Sequence, residues 1–120
     1  MPTMTKLYLK LDISLNTMSD KVRQVFNIAP TNRTPWVASQ KRESVDRGGL
    51  YYHFEIFGLI MILQAYDVET GLPEDRSDWP FYMEVLDEND TFGPDGMPFL
   101  ARHISRVLSM AGIENDIEPD

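Results

Sequence analysis

The chain holds two histidines, nineteen Asp or Glu and no cysteine, so any chemistry it performs must use imidazole, carboxylate or hydroxyl groups. Disulfide frameworks, thiolate metal sites and cysteine nucleophiles are excluded. His53 and Glu55 stand two residues apart in a β-rich segment, which puts them on the same side of one strand as a potential acid/base or two-ligand pair. His103 lies far off in sequence beside Arg102 and near Arg106, and no His-Glu-x-x-His or comparable spacing offers a zinc site. The run Asp87, Glu88, Asn89, Asp90, followed by Gly93, Asp95 and Gly96, clusters the hard oxygen ligands that calcium favours. Counted from Asp87, however, Phe92 falls where an EF-hand loop needs glycine and Pro98 where it needs glutamate, so the expectation is a solvated turn without metal. Nucleophile elbows, dinucleotide fingerprints and phosphate loops are equally missing from the sequence. These residues point away from an enzyme and imply no cofactor; a small metal-dependent or acid/base enzyme built on His53 and Glu55 is the alternative.

The carboxylates are unevenly placed. Residues 1–66 hold eight Lys or Arg against five Asp or Glu, a net +3, whereas residues 67–120 hold three against fourteen, a net −11. Ten acids fall between Asp67 and Asp95, opposed there only by Arg76. A field of that sign repels phosphate backbones and anionic membrane surfaces, which disfavours direct nucleic-acid or membrane binding and favours a cationic protein partner. Aromatic residues are threaded through the same stretch, and rigid aromatics ringed by charge are the usual anchors of protein interfaces. The candidate partner-binding residues are therefore Asp67, Glu69, Glu74, Asp75, Asp78, Trp79, Tyr82, Asp87, Glu88 and Asp90. The blander account is that acidic loops keep a small protein soluble and that the aromatics roof a sheet.

The elements that must position these residues follow from hydrophobic period. At 120 residues the chain has the size of one domain, able to remove roughly two-thirds of its unfolded surface from water. Strict alternation from Leu7 to Leu15 predicts a strand. Met18, Val22, Val25, Phe26 and Ala29 form a helical stripe, capped by Ser19 and ended by Pro30. Residues 30–49 read as a long connection with a short helical piece around Ser39 to Val45. Leu50 to Tyr66 reads as one long strand or two strands that change direction at Gly58, a bend or bulge there placing Tyr52, Phe54 and Ile56 on one face with Leu59, Met61 and Leu63; the strand order below counts it as two. A long acidic loop then leads to an antiparallel strand from Phe81 to Leu86. A last helix from Pro98 to Ala111 buries Leu100, Ile104, Val107, Leu108 and Ala111, with Gly112 just past its end. The expected fold class is α+β: an antiparallel sheet of about four strands covered by two helices, in the order β-α-β-β-β-α. The longest apolar run, Ile56 to Leu63, is eight residues, far short of the roughly 20 that span a bilayer. The first residues show no basic start followed by an apolar core, so no signal peptide is expected.

The segment from Gly49 to Leu63, with its aromatic-Glu-x-Phe-Gly-Leu run, then an acidic gap and Asp78-Trp79-Pro80-Phe81-Tyr82, resembles the central strands of small bacterial immunity proteins of contact-dependent growth inhibition and related polymorphic toxin systems. The resemblance covers residues 49–82. It implies a cytoplasmic, non-enzymatic protein that binds the C-terminal toxin domain delivered by a sibling cell and occludes its active site or another essential surface. Many such toxins are basic nucleases, which agrees with the acidic second half of this chain. A third reading, a scaffold or regulatory subunit, predicts self-association through Phe57 or the edge of the first strand.

Overall fold

A computed structural model of the chain describes residues 3–28, 37–44, 49–56, 58–65 and 78–118. Among these the elements are β1 (Thr3–Lys10), α1 (Leu15–Phe26), β2 (Val37–Ser44), β3 (Gly49–Ile56), β4 (Leu59–Ala65), β5 (Phe81–Asp87), α2 (Gly93–Met110) and β6 (Glu114–Ile117). The strands form one sheet in the order β2-β3-β4-β5-β1-β6, antiparallel at every pairing. The protein is α+β as its sequence pattern indicates, with six strands in place of about four.

The helix-facing side of the sheet is built by period two. Leu7 and Leu9 of β1, Phe81, Met83 and Val85 of β5, Met61 and Leu63 of β4 and Phe54 of β3 fall in register on that face and pack with Met18 and Val22 of α1 and with Met97, Ile104 and Leu108 of α2. Each such side chain contributes about 1.5–3 kcal/mol relative to exposure. Four of them are methionines, whose unbranched thioethers fill the irregular space between two helices and a twisted sheet.

Local chemistry explains where the structure departs from the periodic reading. Alternation continues through Leu15, but β1 stops at Lys10 because the Ser14 hydroxyl accepts from the Thr17 backbone N–H at 3.2 Å and starts α1 there. Ser19, expected as the cap, lies inside the helix, fully buried and with no hydrogen-bond partner for its hydroxyl among the described residues. The turn after α1 is closed by Asn27 at φ 56°, with the Ile28 N–H donating to the Arg23 carbonyl at 2.8 Å. Residues 37–44, expected in a connection with a short helical piece, form β2, paired along its whole length with β3; cross-strand pairing overrides the weak β-propensity of a sequence this polar. The 50–66 segment is two strands. Ile56 pairs with Leu59 and Gly58 between them sits at φ 82°, so the two-strand alternative holds and the expected shared face is delivered by antiparallel pairing and not by a bulge.

The second helix begins five residues before Pro98, at Gly93, with proline in its first turn and Pro98 inside it. Its buried stripe is Met97, Ala101, Ile104 and Leu108, while Ala111, expected inside, is exposed. Gly112 closes it at φ 82°: its N–H donates to the Ser109 carbonyl and the Ile113 N–H to the Leu108 carbonyl, both at 3.0 Å, and Ile113 packs into the core. The final strand, β6, was not signalled by periodicity alone.

Candidate functional site

The sheet face turned away from the helices collects most of the polar chemistry. Register places Tyr51, Gln64, Tyr82, Tyr8 and Asp116 in one row across five strands. The adjacent row runs His53, Ile62, Glu84 and Lys6, and Glu118 bonds through its N–H to the Lys6 carbonyl at 2.9 Å. Tyr8, Tyr82, Gln64 and Ile62 are buried, so this face too is closed at its centre.

At the β5-β1-β6 end the face becomes acidic. Period two turns Glu114 and Asp116 of β6 to the same side as Lys10 and Tyr8, their partners on β1. Lys10 extends its ammonium 3.4 Å from Asp78 and 4.0 Å from Glu114, lying 4.9 Å from the centre of the Trp79 ring. Lys6 is 3.8 Å from Glu118 and opposite Glu84. The Tyr8 hydroxyl donates to Glu118 and the Tyr82 hydroxyl to Glu84, each at 2.9 Å, and the two rings lie 5.5 Å apart. Burial, then the neighbouring Glu84 carboxylate, pushes the Tyr82 hydroxyl pKa far above its ordinary value, so it remains a donor across the physiological range. The result is a belt of five carboxylates, Asp78, Glu84, Glu114, Asp116 and Glu118, against two ammonium groups, with Glu84 and Glu118 held by tyrosine donors and Lys10 set over a half-buried tryptophan.

The belt depends on β6, and β6 is fastened by Asn115. Its side-chain amide donates to the Ser105 carbonyl (3.2 Å), the Ser109 hydroxyl (3.0 Å) and the Ile113 carbonyl (3.0 Å), and its oxygen accepts from the Ser105 hydroxyl at 2.5 Å. A four-residue edge strand with alternating acids thus gains a polar clamp on α2 beyond its ladder with β1.

No family model matches the chain, and no curated protein matches it in sequence.

The expected interface residues are distributed as follows. Asp67, Glu69, Glu74 and Asp75 lie outside the described residues. Asp78 is exposed and Trp79 half-buried, both at the belt. Tyr82 is buried beneath it and acts on the carboxylates rather than on solvent. Glu88 and Asp90 are exposed but follow the end of β5 away from Asp78 and Trp79. Asp87, expected on the rim, is fully buried. Its carboxylate accepts the backbone N–H groups of Thr91, Phe92 and Gly93 at 2.8, 2.8 and 2.9 Å, which satisfies amides at the start of α2. Burial acts to raise its pKa, but the bonds from Gly93, Phe92 and Thr91 outweigh it and hold the carboxyl below its usual range. Among the described residues no group of three or more His, Asp or Glu is placed to hold a metal.

His53 and Glu55 do meet, Nε2 to Oε1 at 3.0 Å, with His53 only 8% exposed and Glu55 open to solvent. The candidate residues read from sequence did not include Glu84, Glu114, Asp116, Glu118, Lys6, Lys10 or Tyr8. The signal was present as period-two acids at 114, 116 and 118, hidden in a segment too short to be read as a strand. Among the described residues no helix is long and apolar enough to cross a membrane.

Proposed function

We propose that this chain is an immunity protein, a cytoplasmic binding protein without catalytic activity that neutralises a basic toxin domain by covering its active site or another essential surface. The observation that carries the reading is the belt of Asp78, Glu114 and Asp116 around Lys10 and Trp79, backed by the Tyr8–Glu118 and Tyr82–Glu84 pairs. Such clustered carboxylates suit the arginine and lysine side chains with which a nuclease grips phosphate. The resemblance of residues 49–82 to immunity-protein strands supports the same reading. Inhibition then rests on steric and electrostatic occlusion. The acidic field speeds encounter, and the pairs desolvated at the centre set the lifetime of the complex.

Coexpression with the product of the adjacent upstream gene, followed by pull-down and a growth assay, tests it: a stable complex and protection from toxicity are expected, and the absence of both refutes the proposal. The triple reversal Asp78→Lys, Glu114→Lys, Asp116→Lys should slow association by about tenfold or more at low salt and flatten its ionic-strength dependence. An unchanged on-rate moves the interface elsewhere. The formed His53–Glu55 pair favours a second reading, acid/base catalysis. Under the first reading His53→Ala and Glu55→Gln leave protection intact; loss of protection with an undiminished complex would favour the second.

A further inference from the structure

The side of α2 opposite its buried stripe carries a surface of the other sign. Phe99, Arg102, His103, Arg106 and Met110 recur at i, i+3, i+4, i+7 and i+11, the spacing of a single helical stripe. Phe99 is 69% and Met110 82% exposed. The Arg102 guanidinium lies 4.7 Å from the centre of the Phe99 ring, and Phe99, Arg102, His103 and Arg106 line a shallow hollow of about 240 Å³. Residues 67–120 hold only three Lys or Arg, and two of them stand here. Unlike Lys6, Lys10 and Arg23, neither is paired with a carboxylate among the described residues. Arg102 also lines a larger groove, about 450 Å³, between the first half of α2 and strands β1 and β6, whose walls include Met4, Pro94, Met97, Ala101 and Ile117. Across that groove Glu118 is already engaged by Tyr8 and Lys6.

We propose that the exposed stripe of α2, together with the groove that flanks it at Arg102, is a docking surface for an acidic protein segment that carries one apolar anchor. The groove is within the size range that accepts a large apolar side chain. The arginines, one helical turn apart at i and i+4, are spaced to meet two carboxylates on a partner helix or extended strand. Phe99 and Met110 bracket them with exposed apolar surface that a partner removes from water. A second copy packed helix to helix about a two-fold axis would set Arg102 and Arg106 against their own equivalents, which like-charge repulsion opposes. A nucleic acid meets only two arginines here within a molecule of net charge −8, too few to offset the general repulsion of phosphates. A short acidic segment with an anchor fits both the local cations and the apolar groove. This surface meets the acidic belt only at Glu118, which Tyr8 and Lys6 already engage, and it takes a partner of opposite charge.

The test is fluorescence anisotropy with an 18-residue labelled helical peptide bearing Glu pairs at i and i+4 beside Leu, alongside the same peptide with Lys for Glu and with Ser for Leu. Saturable binding of the Glu/Leu peptide is expected, weakened at least tenfold in both control peptides. Arg102→Glu with Arg106→Glu should weaken it as strongly, as should Phe99→Ser, while Asp78→Lys leaves it unchanged; thermal unfolding confirms that each variant folds. No saturable binding, equal binding of the Lys peptide, or binding indifferent to the arginine reversals overturns the proposal. So does tighter binding of a 20-nucleotide single-stranded DNA, or a dimer in sedimentation that the arginine reversals dissociate, which would assign the surface to nucleic acid or to a second copy.

Discussion

The two serines of the first helix give opposite answers to one substitution. Ser14 is exposed and accepts from the Thr17 N–H; replacing an N-cap serine by alanine removes that acceptor and costs about 1 kcal/mol. Ser19 is fully buried, with no partner for its hydroxyl among the described residues. An unpaired hydroxyl in an apolar interior costs about 1–3 kcal/mol, and alanine is also the better helix former by about 0.5 kcal/mol. Against this, losing one oxygen leaves a small void and forfeits some dispersion contacts. The net expectation for Ser19→Ala is a gain of about 1 kcal/mol, so the two variants should differ by about 2 kcal/mol with opposite signs. For a domain of this size each kcal/mol moves the midpoint by roughly 3–5 °C, which circular dichroism melts resolve. Urea titrations should show shifted midpoints at a constant slope, the mark of a change in stability and not in compactness. A Ser19→Ala variant less stable than the parent refutes the reasoning, because it would mean that the Ser19 hydroxyl is satisfied.

Asp87→Asn should flatten the acid limb of stability. Because the folded carboxyl titrates below its unfolded value of 3.8, its contribution is present above that value and is lost as pH falls through the lower folded one; urea midpoints measured down to pH 2 check this. Tyr82 has the opposite sense: its folded pKa is raised, so its contribution is present below pH 10 and is lost as pH rises beyond. Tyr82→Phe should therefore shallow the alkaline limb, and it should cost about 1.5–3 kcal/mol at neutral pH by removing a donor from a carboxylate, read from the same titrations. Gly112→Ala places a side chain at φ 82° with open space around its Cβ, so only backbone strain is felt, about 1–2 kcal/mol; a melt within 1 °C of the parent would show that this residue does not close α2.

What could be read from sequence, and what could not, follows the range of the forces involved. The faces of β1, β4 and β5 were legible because Leu7 and Leu9, Met61 and Leu63, and Phe81, Met83 and Val85 alternate over enough residues to leave one assignment. β2 was illegible because a run as polar as Ala38 to Ser44 becomes a strand only by pairing with β3, information held outside the run. The start of α2 was misplaced because its determinant is the Asp87 carboxylate, which folds onto amides four to six residues ahead. The candidate site shows the same division. Asp78 and Trp79 were found from local composition, whereas their neighbours Lys10 and Glu114 arrive from opposite ends of the chain and meet only through the β1–β6 register.

That register also explains how a small sheet serves two surfaces of opposite charge. Along β6 successive residues alternate sides. Glu114 and Asp116 go to the helix-free face and complete the acidic belt, while Asn115 and Ile117 go to the helix side. There Asn115 clamps α2 and Ile117 lines the groove beside Arg102. A slip of one residue in the β1–β6 pairing would exchange the two sets, burying acids against α2 and turning Ile117 to the belt. The Asn115 bonds to Ser105 and Ser109 oppose that slip, since they form only when position 115 faces the helix. A strand with one apolar residue in four therefore has its register supported by a polar clamp, and both the acidic belt and the Ile117 wall of the groove depend on it.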